Sequence, residues 1–240
     1  MPEVNTKIPD VFILCGGQGT RFRAVREDIP KALAPINGVP FLDLLLDNLI
    51  SQGCKRIILG TGYLGEQLES HVRHRNDADY LISREMQPLG TGGAIRHAMP
   101  LIHSEQIMVL NGDSYIVFSV KNLLDFHITQ QAEATILLST KTAGTDYGNV
   151  EIDENYKVLF FQEKPKDAST QLINAGVYCI ERNLIQQYPE EYASLENEWF
   201  PQWLGNEHIL GMLVAERFYD IGTLERFELA QHKLYNLRPS

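Results

Sequence analysis

A glycine-rich stretch near the N-terminus carries the residue types of a phosphate-binding loop. Gly16, Gly17 and Gly19 follow a short apolar segment, and Arg21 and Lys31 come after the glycines. Glycines leave the backbone N–H groups open to a ligand, so that several of them can converge on an anion. A guanidinium fork and a compact ammonium supply further positive charge for phosphate oxygens. The stretch therefore predicts binding of a phosphate chain.

Two common phosphate-binding motifs do not account for this loop. A P-loop ends in Gly-Lys followed by Ser or Thr, whereas the chain has Gly19-Thr20-Arg21 at that point. A dinucleotide fingerprint that starts at Gly17 requires Gly or Ala where Phe22 stands, and a phenylalanine there would obstruct packing of the helix on the strand. The sequence thus argues against a Walker-type NTPase and against a nucleotide-dependent dehydrogenase.

Length and charge restrict the class of protein. The 240 residues fit one large domain or two small ones, with a core that needs neither disulfides nor metals, and we expect one domain. Acidic residues outnumber basic ones by 31 to 21, which gives a formal net charge of −10, and the basic residues are scattered along the chain. Because no basic stripe is present, we expect no nucleic-acid partner. Any anionic ligand must be bound by local groups.

The cysteines and the apolar segments indicate the compartment. Cys15, Cys54 and Cys179 are odd in number and far apart, which is typical of free thiols in a reducing environment. The first residues form no apolar signal core, and no apolar run is long enough to cross a bilayer. We therefore expect a cytoplasmic protein without a membrane partner. The sequence carries no signal of its oligomeric state.

The order of apolar and amphipathic segments predicts the elements that position this loop. Over the first half, strands at 11–14, 56–61, 80–84 and 106–110 alternate with helices at 41–52, 65–75, 90–99 and 120–131, as in a mostly parallel α/β sheet. From residue 134 onward, strand-like segments follow one another with short connections, so antiparallel pairing enters. These strands are predicted at 134–140, 148–152, 157–163 and 175–180, and a helix at 223–235 closes the pattern.

Polar motifs stand at the ends of the predicted strands, where ligands of open α/β sheets bind. They are Asn111-Gly112-Asp113, Glu163-Lys164-Pro165, Asn174-Ala175-Gly176 and Asp220-Ile221-Gly222-Thr223. Each is common alone, as a turn or a solvated strand end. Together with the glycine loop, Pro30-Lys31 and Gly90-Thr91-Gly92-Gly93, their order resembles the sugar-1-phosphate nucleotidyltransferase family over nearly the whole chain.

The resemblance implies a fold and a reaction. The fold is α/β, a Rossmann-like mixed, mostly parallel sheet flanked by helices, of the nucleotidyltransferase, GT-A-like type, with an antiparallel sugar-binding lobe. It would form one domain over residues 1–240, with a nucleotide-binding half to about 133 and a sugar-phosphate-binding half from about 134. In the reaction, a sugar 1-phosphate oxygen attacks the α-phosphorus of a nucleoside triphosphate and pyrophosphate leaves. The protein must mainly position the reactants and neutralise charge.

The family motifs also imply roles for residues of this sequence. Arg21 and Lys31 would bind the triphosphate and the leaving pyrophosphate, and Lys164 would hold the sugar phosphate; these three form the implied catalytic set. Asp113 and Asp220 would be ligands of Mg²⁺, which prefers oxygen ligands. The implied nucleotide-binding residues are Cys15, Gly16, Gly17, Gly19, Thr20, Arg21, Lys31, Glu85, Gly90, Thr91 and Gly112. The implied sugar-binding residues are Tyr147, Gly148, Glu163, Lys164, Asn174 and Gly176.

Two features near these motifs are expected to belong to the core rather than to the chemistry. The thiol of Cys15 adjoins the glycine loop, yet a buried cysteine is the commoner case. The aromatic group Trp199, Phe200 and Trp203 could line a sugar pocket, but packing against the closing helix is the favoured interpretation.

The choice of base depends on residue 85. Uridylyl and thymidylyl enzymes of the family commonly carry glutamine at the place that aligns with Glu85. A carboxylate has only acceptors, which suits the adjacent N1–H and N2–H₂ donors of guanine, whereas uracil and thymine pair a donor with acceptors. GTP is therefore favoured. An alignment shifted by two residues would put Gln87 there and keep UTP open.

The choice of sugar rests on the resemblance alone. In length and in segments 34–38 and 88–95, the chain is most similar to guanylyltransferases that act on D-glycero-α-D-manno-heptose 1-phosphate, in nucleotide-sugar biosynthesis for lipopolysaccharide or capsule. Mannose-1-phosphate guanylyltransferases and N-acetylmuramate-1-phosphate uridylyltransferases are near neighbours. Ala32 departs from the family pattern, which often has a second proline after Pro-Lys. Regulatory subunits that bind nucleotide sugar without turnover share the fold, but all five implied catalytic and metal residues are present.

Overall fold

The structure is a computed structural model, and it describes residues 7–17, 19, 28–140, 147–163, 171–189 and 191–234. Short 3₁₀ turns lie at Lys31–Leu33 and Met99–Leu101, and a π-helical turn lies at Leu195–Trp199. The strands are β1 (Asp10–Leu14), β2 (Pro35–Ile36), β3 (Val39–Pro40), β4 (Arg56–Thr61), β5 (Asp79–Arg84), β6 (Gln106–Asn111), β7 (Ser114–Tyr115), β8 (Ala134–Thr140), β9 (Asn149–Ile152), β10 (Val158–Gln162), β11 (Leu172–Glu181), β12 (Ile209–Leu213) and β13 (Tyr219–Asp220). The α-helices are α1 (Phe41–Ser51), α2 (Gly65–Val72), α3 (Gly90–Ala98), α4 (Val120–Thr129), α5 (Arg182–Gln186), α6 (Phe200–Trp203) and α7 (Leu224–Lys233).

Nine of these strands form one mixed sheet. Its order is β10-β9-β11-β6-β1-β4-β5, and β8 and β12 extend it beside β11. Strands β1, β4, β5 and β6 are mutually parallel, and β11 is antiparallel to β6, β8 and β9. Since β12 is parallel to β8 and β10 is antiparallel to β9, only β10 and β11 run against the common direction. The predicted mixed, mostly parallel sheet is confirmed.

The central strands are buried on both faces, which explains their continuous apolar sequences. One face of the sheet presents Val11 and Ile13 to a cluster that includes residues of α1 and α4. The other face presents Phe12 and Ile58 to a cluster that includes α3 and the aromatic segment after residue 194. The helices predicted on both sides of the sheet are confirmed, with ends within three residues of those predicted from the sequence.

The aromatic group near residue 200 belongs to the core, as the sequence predicts. Trp199, Phe200 and Trp203 are at most 2% exposed, and their rings pack against one another and against Tyr188 and Tyr178. All three cysteines are free and buried, which agrees with the expected free thiols.

Several elements were not predicted from the sequence. Strand β12 pairs in parallel with β8, and β11 begins at Leu172, three residues before the predicted strand. A separate two-stranded ladder joins β7 to β13. Among the helices of the described ranges, none is both long and apolar enough to span a membrane.

Close packing of α3 against the segment before the π-helical turn gives a stability prediction. A Cβ at Gly93 would lie 2.3 Å from the carbonyl oxygen of Glu191, whereas one at Gly205 would meet nothing within 4 Å. We expect Gly93→Ala to lower the free energy of unfolding by about 1–3 kcal/mol, because overpacking outweighs the roughly 1 kcal/mol that alanine adds to a helix. Urea denaturation measures the change.

Gly205→Ala is the matched control for this substitution. It adds the same methyl group at an open position, so its stability should stay within about 0.5 kcal/mol of the starting protein. A Gly93→Ala variant that is more stable than the unsubstituted protein would contradict the close approach of α3 to Glu191.

Candidate active site

A cavity of about 570 Å³ opens at the carboxyl ends of β1 and β6, where the sequence places the polar motifs. Cys15, Gly19 and Gly112 are described but lie outside the lining of the cavity. Thr20, Arg21 and Lys164 lie outside the described residues. The predicted residues that line it are Gly16, Gly17, Lys31, Glu85, Gly90, Thr91, Asp113, Tyr147, Gly148, Glu163, Asn174, Gly176 and Asp220.

The two predicted metal ligands are brought together by the ladder of β7 and β13. In this ladder Asp220 is the partner of Ser114, and the backbone N–H of Ile221 donates to the carbonyl of Asp113 at 3.0 Å. Residues from distant parts of the sequence are thereby fixed side by side. The structure thus brings Asp113 and Asp220 together; that they bind a metal stays a prediction.

Asp113 faces the ammonium of Lys31. The Nζ of Lys31 lies 2.6 Å from Oδ2 of Asp113, and the hydroxyl of Ser114 donates to Oδ1 at 3.1 Å. Burial of the carboxylate opposes ionisation, but the charge of Lys31 and the hydrogen bonds from Lys31 and Ser114 outweigh it, so the pKa of Asp113 lies below its usual value. Asp113 is therefore an anion at neutral pH.

Asp220 is held by three donors. The backbone N–H of Gly222 donates to Oδ1 at 2.7 Å, and the phenol of Tyr147 donates to Oδ2 at 2.9 Å. Arg226 brings Nη1 to 3.2 Å from Oδ1, and its guanidinium lies 4.1 Å from the centre of the Tyr147 ring. The sequence gives no sign of this role for Arg226, because a lone basic residue in the first turn of a predicted amphipathic helix resembles an ordinary surface residue.

The donor set at this point suits a hard divalent cation. Within the described ranges, no group of three or more His, Cys, Asp or Glu side chains could hold a metal by itself. Two carboxylates are nevertheless the usual protein share of a Mg²⁺ site, since the remaining positions go to waters and substrate phosphates. Asp113 and Asp220 both line the cavity, so their oxygens can reach a ligand there.

At another part of the lining, Glu85 adjoins the glycine loop. A Cβ on Gly16 would lie 2.5 Å from Oε1 of Glu85, so any larger residue at position 16 would displace the carboxylate. The N–H of Leu89 donates to Oε2 at 2.9 Å. Burial raises the pKa of Glu85 above its usual value, against the opposing effects of the Leu89 N–H and the nearby His97. Gln87 is exposed and is not part of the lining, so the geometry favours the unshifted alignment.

The glycine of the Asn-Gly-Asp motif has a packing role. A Cβ at Gly112 would meet Sγ of Cys15 and the carbonyl oxygen of Leu14, each at 2.7 Å. The ends of β1 and β6 therefore approach each other closely enough to shape the floor of the cavity. Burial, with a smaller contribution from the charge of Asp113, raises the pKa of Cys15 to about 12. That thiol is a core group and not a nucleophile.

The predicted sugar-binding residues gather where β11 is irregular. The pairing of β11 with β8 shifts between Asn174 and Tyr178, and Gly176 has a φ of 68°, a conformation that favours glycine. A Cβ at Gly176 would also lie 2.8 Å from Nδ2 of Asn111, at the end of β6. A Cβ at Gly148 would lie 2.7 Å from Oε2 of Glu163. The glycines thus keep this side of the cavity open.

A buried carboxylate that the sequence analysis missed borders the same region. Glu196, on the π-helical turn, accepts hydrogen bonds from the hydroxyls of Thr91 at 2.5 Å and Tyr178 at 3.3 Å. Thr91 also accepts from the N–H of Leu195 at 2.8 Å, so its side chain ties α3 to the π-helical turn. Burial and the charge of Glu196 raise the pKa of Tyr178 well above its usual value. A glutamate in a polar segment gives no sequence signal of such burial.

Comparison with known proteins places this geometry in a family. The nucleotidyl transferase family model matches residues 10–236. The D-glycero-alpha-D-manno-heptose 1-phosphate guanylyltransferase of Aneurinibacillus thermoaerophilus is 31% identical over 227 residues, which cover 94% of this chain and 98% of that protein. The mannose-1-phosphate guanylyltransferase of Mycobacterium tuberculosis is 36% identical over 223 residues, which cover 91% of this chain but 62% of that protein. The chain thus spans less than two thirds of the length of this mannose-1-phosphate enzyme.

Solved structures agree with the family match. The crystal structure of HddC from Yersinia pseudotuberculosis has a TM-score of 0.84 and 32% sequence identity, and the match covers 94% of this chain and 99% of that one. A second structure of HddC is a complex with GMP-PN, and it matches equally well. The family model matches nearly all of the chain, and both the fold and the similar relatives agree with that match. The chain belongs to the nucleotidyl transferase family.

Proposed function

We propose that this protein transfers GMP from GTP to a sugar 1-phosphate, forming a GDP-sugar and pyrophosphate. The observation that carries the proposal is the convergence of Asp113, Asp220 and Lys31 in a cavity that has Glu85 at one part of its lining and Glu163 at another. Glu85 and Glu163 mark one proposed site for each reactant, and the negative aspartates and the positive Lys31 lie between these sites. Guanylyltransferases among the relatives support the same reaction.

Each part of the cavity has a proposed task. Gly16 and Gly17, with Arg21 outside the described residues, bind the triphosphate through backbone N–H groups and a guanidinium. Lys31 neutralises charge on the triphosphate and the leaving pyrophosphate. Glu85 accepts the N1–H and N2–H₂ donors of guanine.

The sugar phosphate is proposed to bind at the part of the cavity that Glu163 lines. Asn174, Glu163 and the open backbone at Gly148 border the sugar, and Lys164, also outside the described residues, holds its phosphate. Asp113 and Asp220 hold Mg²⁺, which when bound neutralises charge on the phosphate oxygens and helps to align them. The protein groups place the attacking oxygen opposite the leaving pyrophosphate, and positioning accounts for much of the rate.

For the sugar we propose D-glycero-α-D-manno-heptose 1-phosphate. The chain covers 98% and 96% of two guanylyltransferases named for this substrate, whereas it covers 62% of a mannose-1-phosphate enzyme. Mannose 1-phosphate is the second candidate, supported by the 36% identity to that enzyme. We further propose a single domain that works in the cytoplasm, in nucleotide-sugar biosynthesis for lipopolysaccharide or capsule.

A release assay for pyrophosphate tests the function directly. The purified protein is incubated with Mg²⁺, each of the four common nucleoside triphosphates and three sugar 1-phosphates, those of the heptose, mannose and N-acetylmuramate. We expect GTP with the heptose phosphate to give the highest kcat/KM and a GDP-sugar identified by mass spectrometry. Highest efficiency with UTP and N-acetylmuramate 1-phosphate would contradict the guanylyl assignment, and binding of nucleotide sugar without turnover would indicate a regulatory subunit.

The two carboxylates give a prediction about metal-dependent turnover. We expect Asp113→Asn and Asp220→Asn each to lower kcat/KM about a hundredfold or more, because loss of a charged metal ligand removes on the order of 3 kcal/mol of stabilisation. The amide keeps the volume of the side chain, so the circular dichroism spectrum should not change. Turnover like that of the unsubstituted protein at limiting Mg²⁺ would contradict the assignment.

Glu85 gives a prediction about the base. In Glu85→Gln, one donor of guanine faces an NH₂ group, while a pyrimidine carbonyl gains a donor. A mismatched buried polar pair costs roughly 1–3 kcal/mol, so the ratio of kcat/KM for GTP over UTP should fall about ten- to hundredfold. The ratio is measured at saturating sugar phosphate.

Gln87→Glu is the matched control for the base prediction. Gln87 is exposed and lies two residues from Glu85, so the change should leave the ratio for GTP over UTP unaltered. A ratio that responds to residue 87 and not to residue 85 would show that Gln87 reads the base.

The raised pKa of Glu85 predicts a dependence of base choice on pH. Above that pKa the carboxylate is ionised and accepts both guanine donors; as the pH falls through it, the added proton turns one oxygen into a donor that opposes them. The preference for GTP over UTP should therefore decline on acidification at a higher pH than for an exposed glutamate. The ratio measured between about pH 5 and 8 should lose this slope in Glu85→Gln, and a flat profile in the unsubstituted protein would be inconsistent with this role.

A further inference from the structure

Arg226 occupies a place in the cavity that the family motifs do not assign. It lies in the first turn of α7, where Thr223 caps the helix and accepts from the backbone N–H of Arg226. Side chains on a helix point back toward its N-terminus. The guanidinium is therefore carried over Asp220 and Gly222 to the cavity, which it lines.

Contacts with Tyr147 and Asp220 hold the side chain of Arg226 in place, and part of it stays exposed. The guanidinium lies 4.1 Å from the centre of the Tyr147 ring and 3.2 Å from Oδ1 of Asp220, and its side chain is 17% exposed. Gly222 lies beside these groups: a Cβ there would lie 2.7 Å from Oδ1 of Asp220, and 3.7 Å from both Nη1 of Arg226 and Nζ of Lys31. The two cations are thus near the same glycine.

We propose that Arg226 binds the phosphate group of the sugar 1-phosphate, an inference that rests on the proposed function. Among the lining residues that the structure describes, Lys31 and Arg226 carry the positive charge. A phosphate monoester is a dianion near neutral pH, and an arginine fork is the side chain that matches its oxygens in pairs.

The position of Arg226 relative to its neighbours selects the sugar phosphate rather than the triphosphate. Lys31 pairs with Asp113, which follows β6 at the end next to the glycine loop. Arg226 instead packs on the ring of Tyr147. The next residue, Gly148, lies against the carboxylate of Glu163. Arg226 is therefore on the side of the metal carboxylates where the sugar is proposed to lie.

The ion pair between Arg226 and Asp220 would also couple binding of the metal to binding of the sugar phosphate. If Asp220 bound a cation, its carboxylate would neutralise Arg226 less, while the ring of Tyr147 would still hold the guanidinium. The quadrupole of an aromatic ring attracts a cation on its face, which biases the orientation of the guanidinium. The positive charge then faces the incoming phosphate, so metal and sugar phosphate should bind with positive cooperativity.

Equilibrium binding and kinetics test the proposal on the full chain. Calorimetric titration gives the Kd of D-glycero-α-D-manno-heptose 1-phosphate and mannose 1-phosphate, with and without Mg²⁺, for the unsubstituted protein, Arg226→Ala and Arg226→Lys. We expect Arg226→Ala to weaken binding about ten- to hundredfold, the loss of one charge-assisted contact, and to raise KM for the sugar phosphate equally. Arg226→Lys should be intermediate, and KM for GTP should not change.

Lys233→Ala is the matched control, because it removes an exposed cation from the same helix. It should leave every constant unchanged. If Arg226→Ala raised KM for GTP alone, the residue would belong to the triphosphate site; if it altered only the Mg²⁺ dependence of turnover, it would be a positioning residue of Asp220. Either result overturns the proposal.

The same experiment separates this inference from the proposed function. An active protein whose Arg226→Ala variant binds sugar phosphate normally refutes the inference and leaves the function intact. If the unsubstituted protein neither binds nor turns over any sugar 1-phosphate, the function fails, and inorganic phosphate serves as the probe. Weaker binding of inorganic phosphate by Arg226→Ala would then support an anion site at Arg226, and equal binding would refute it.

Discussion

The site depends on the pairing of two very short strands. The ladder between β7 and β13 sets Asp113 beside Asp220, although the two aspartates are separated by nearly half of the chain. A ladder of this length is not stable alone. It is supported by a third apolar cluster, in which Tyr115 and Ile221 pack with residues of α1 and α7. The proposed catalytic geometry therefore depends on the packing of α7 on this ladder.

Two ion pairs hold the aspartates of the cavity. Lys31 lies against Asp113 and Arg226 against Asp220, so each of the two aspartates has a cation as its neighbour. Breaking a partly buried ion pair by removing one partner is costly, because it leaves an uncompensated charge. A divalent cation can take over the carboxylates while phosphate oxygens take over the cations. A ligand that brings both a metal and phosphates would supply new partners for the carboxylates and for the cations. A ligand of one charge sign would supply new partners for only one of these two kinds of group.

Much of the fold and part of the site could be predicted from the sequence. The parallel strands and their helices have clear periodicity, and the carboxyl ends of those strands are where Lys31, Glu85 and Asp113 lie. The ladder of β7 and β13 is too short to show alternation. Glu196 and Arg226 stand in polar helical segments that are typical of solvated faces, so only tertiary packing reveals their contacts. Strand β12 could not be predicted, because Gly211 interrupts its run of apolar residues.

The location of a bound metal would show whether Asp113 and Asp220 form the metal site. Crystals grown with Mn²⁺ and a non-hydrolysable GTP analogue would show the metal by anomalous scattering, independently of any assay. We predict a single strong peak in contact with carboxylate oxygens of both Asp113 and Asp220, with phosphate oxygens completing the coordination shell of the metal. A peak bound to neither aspartate, with the nucleotide still in the cavity, would contradict it.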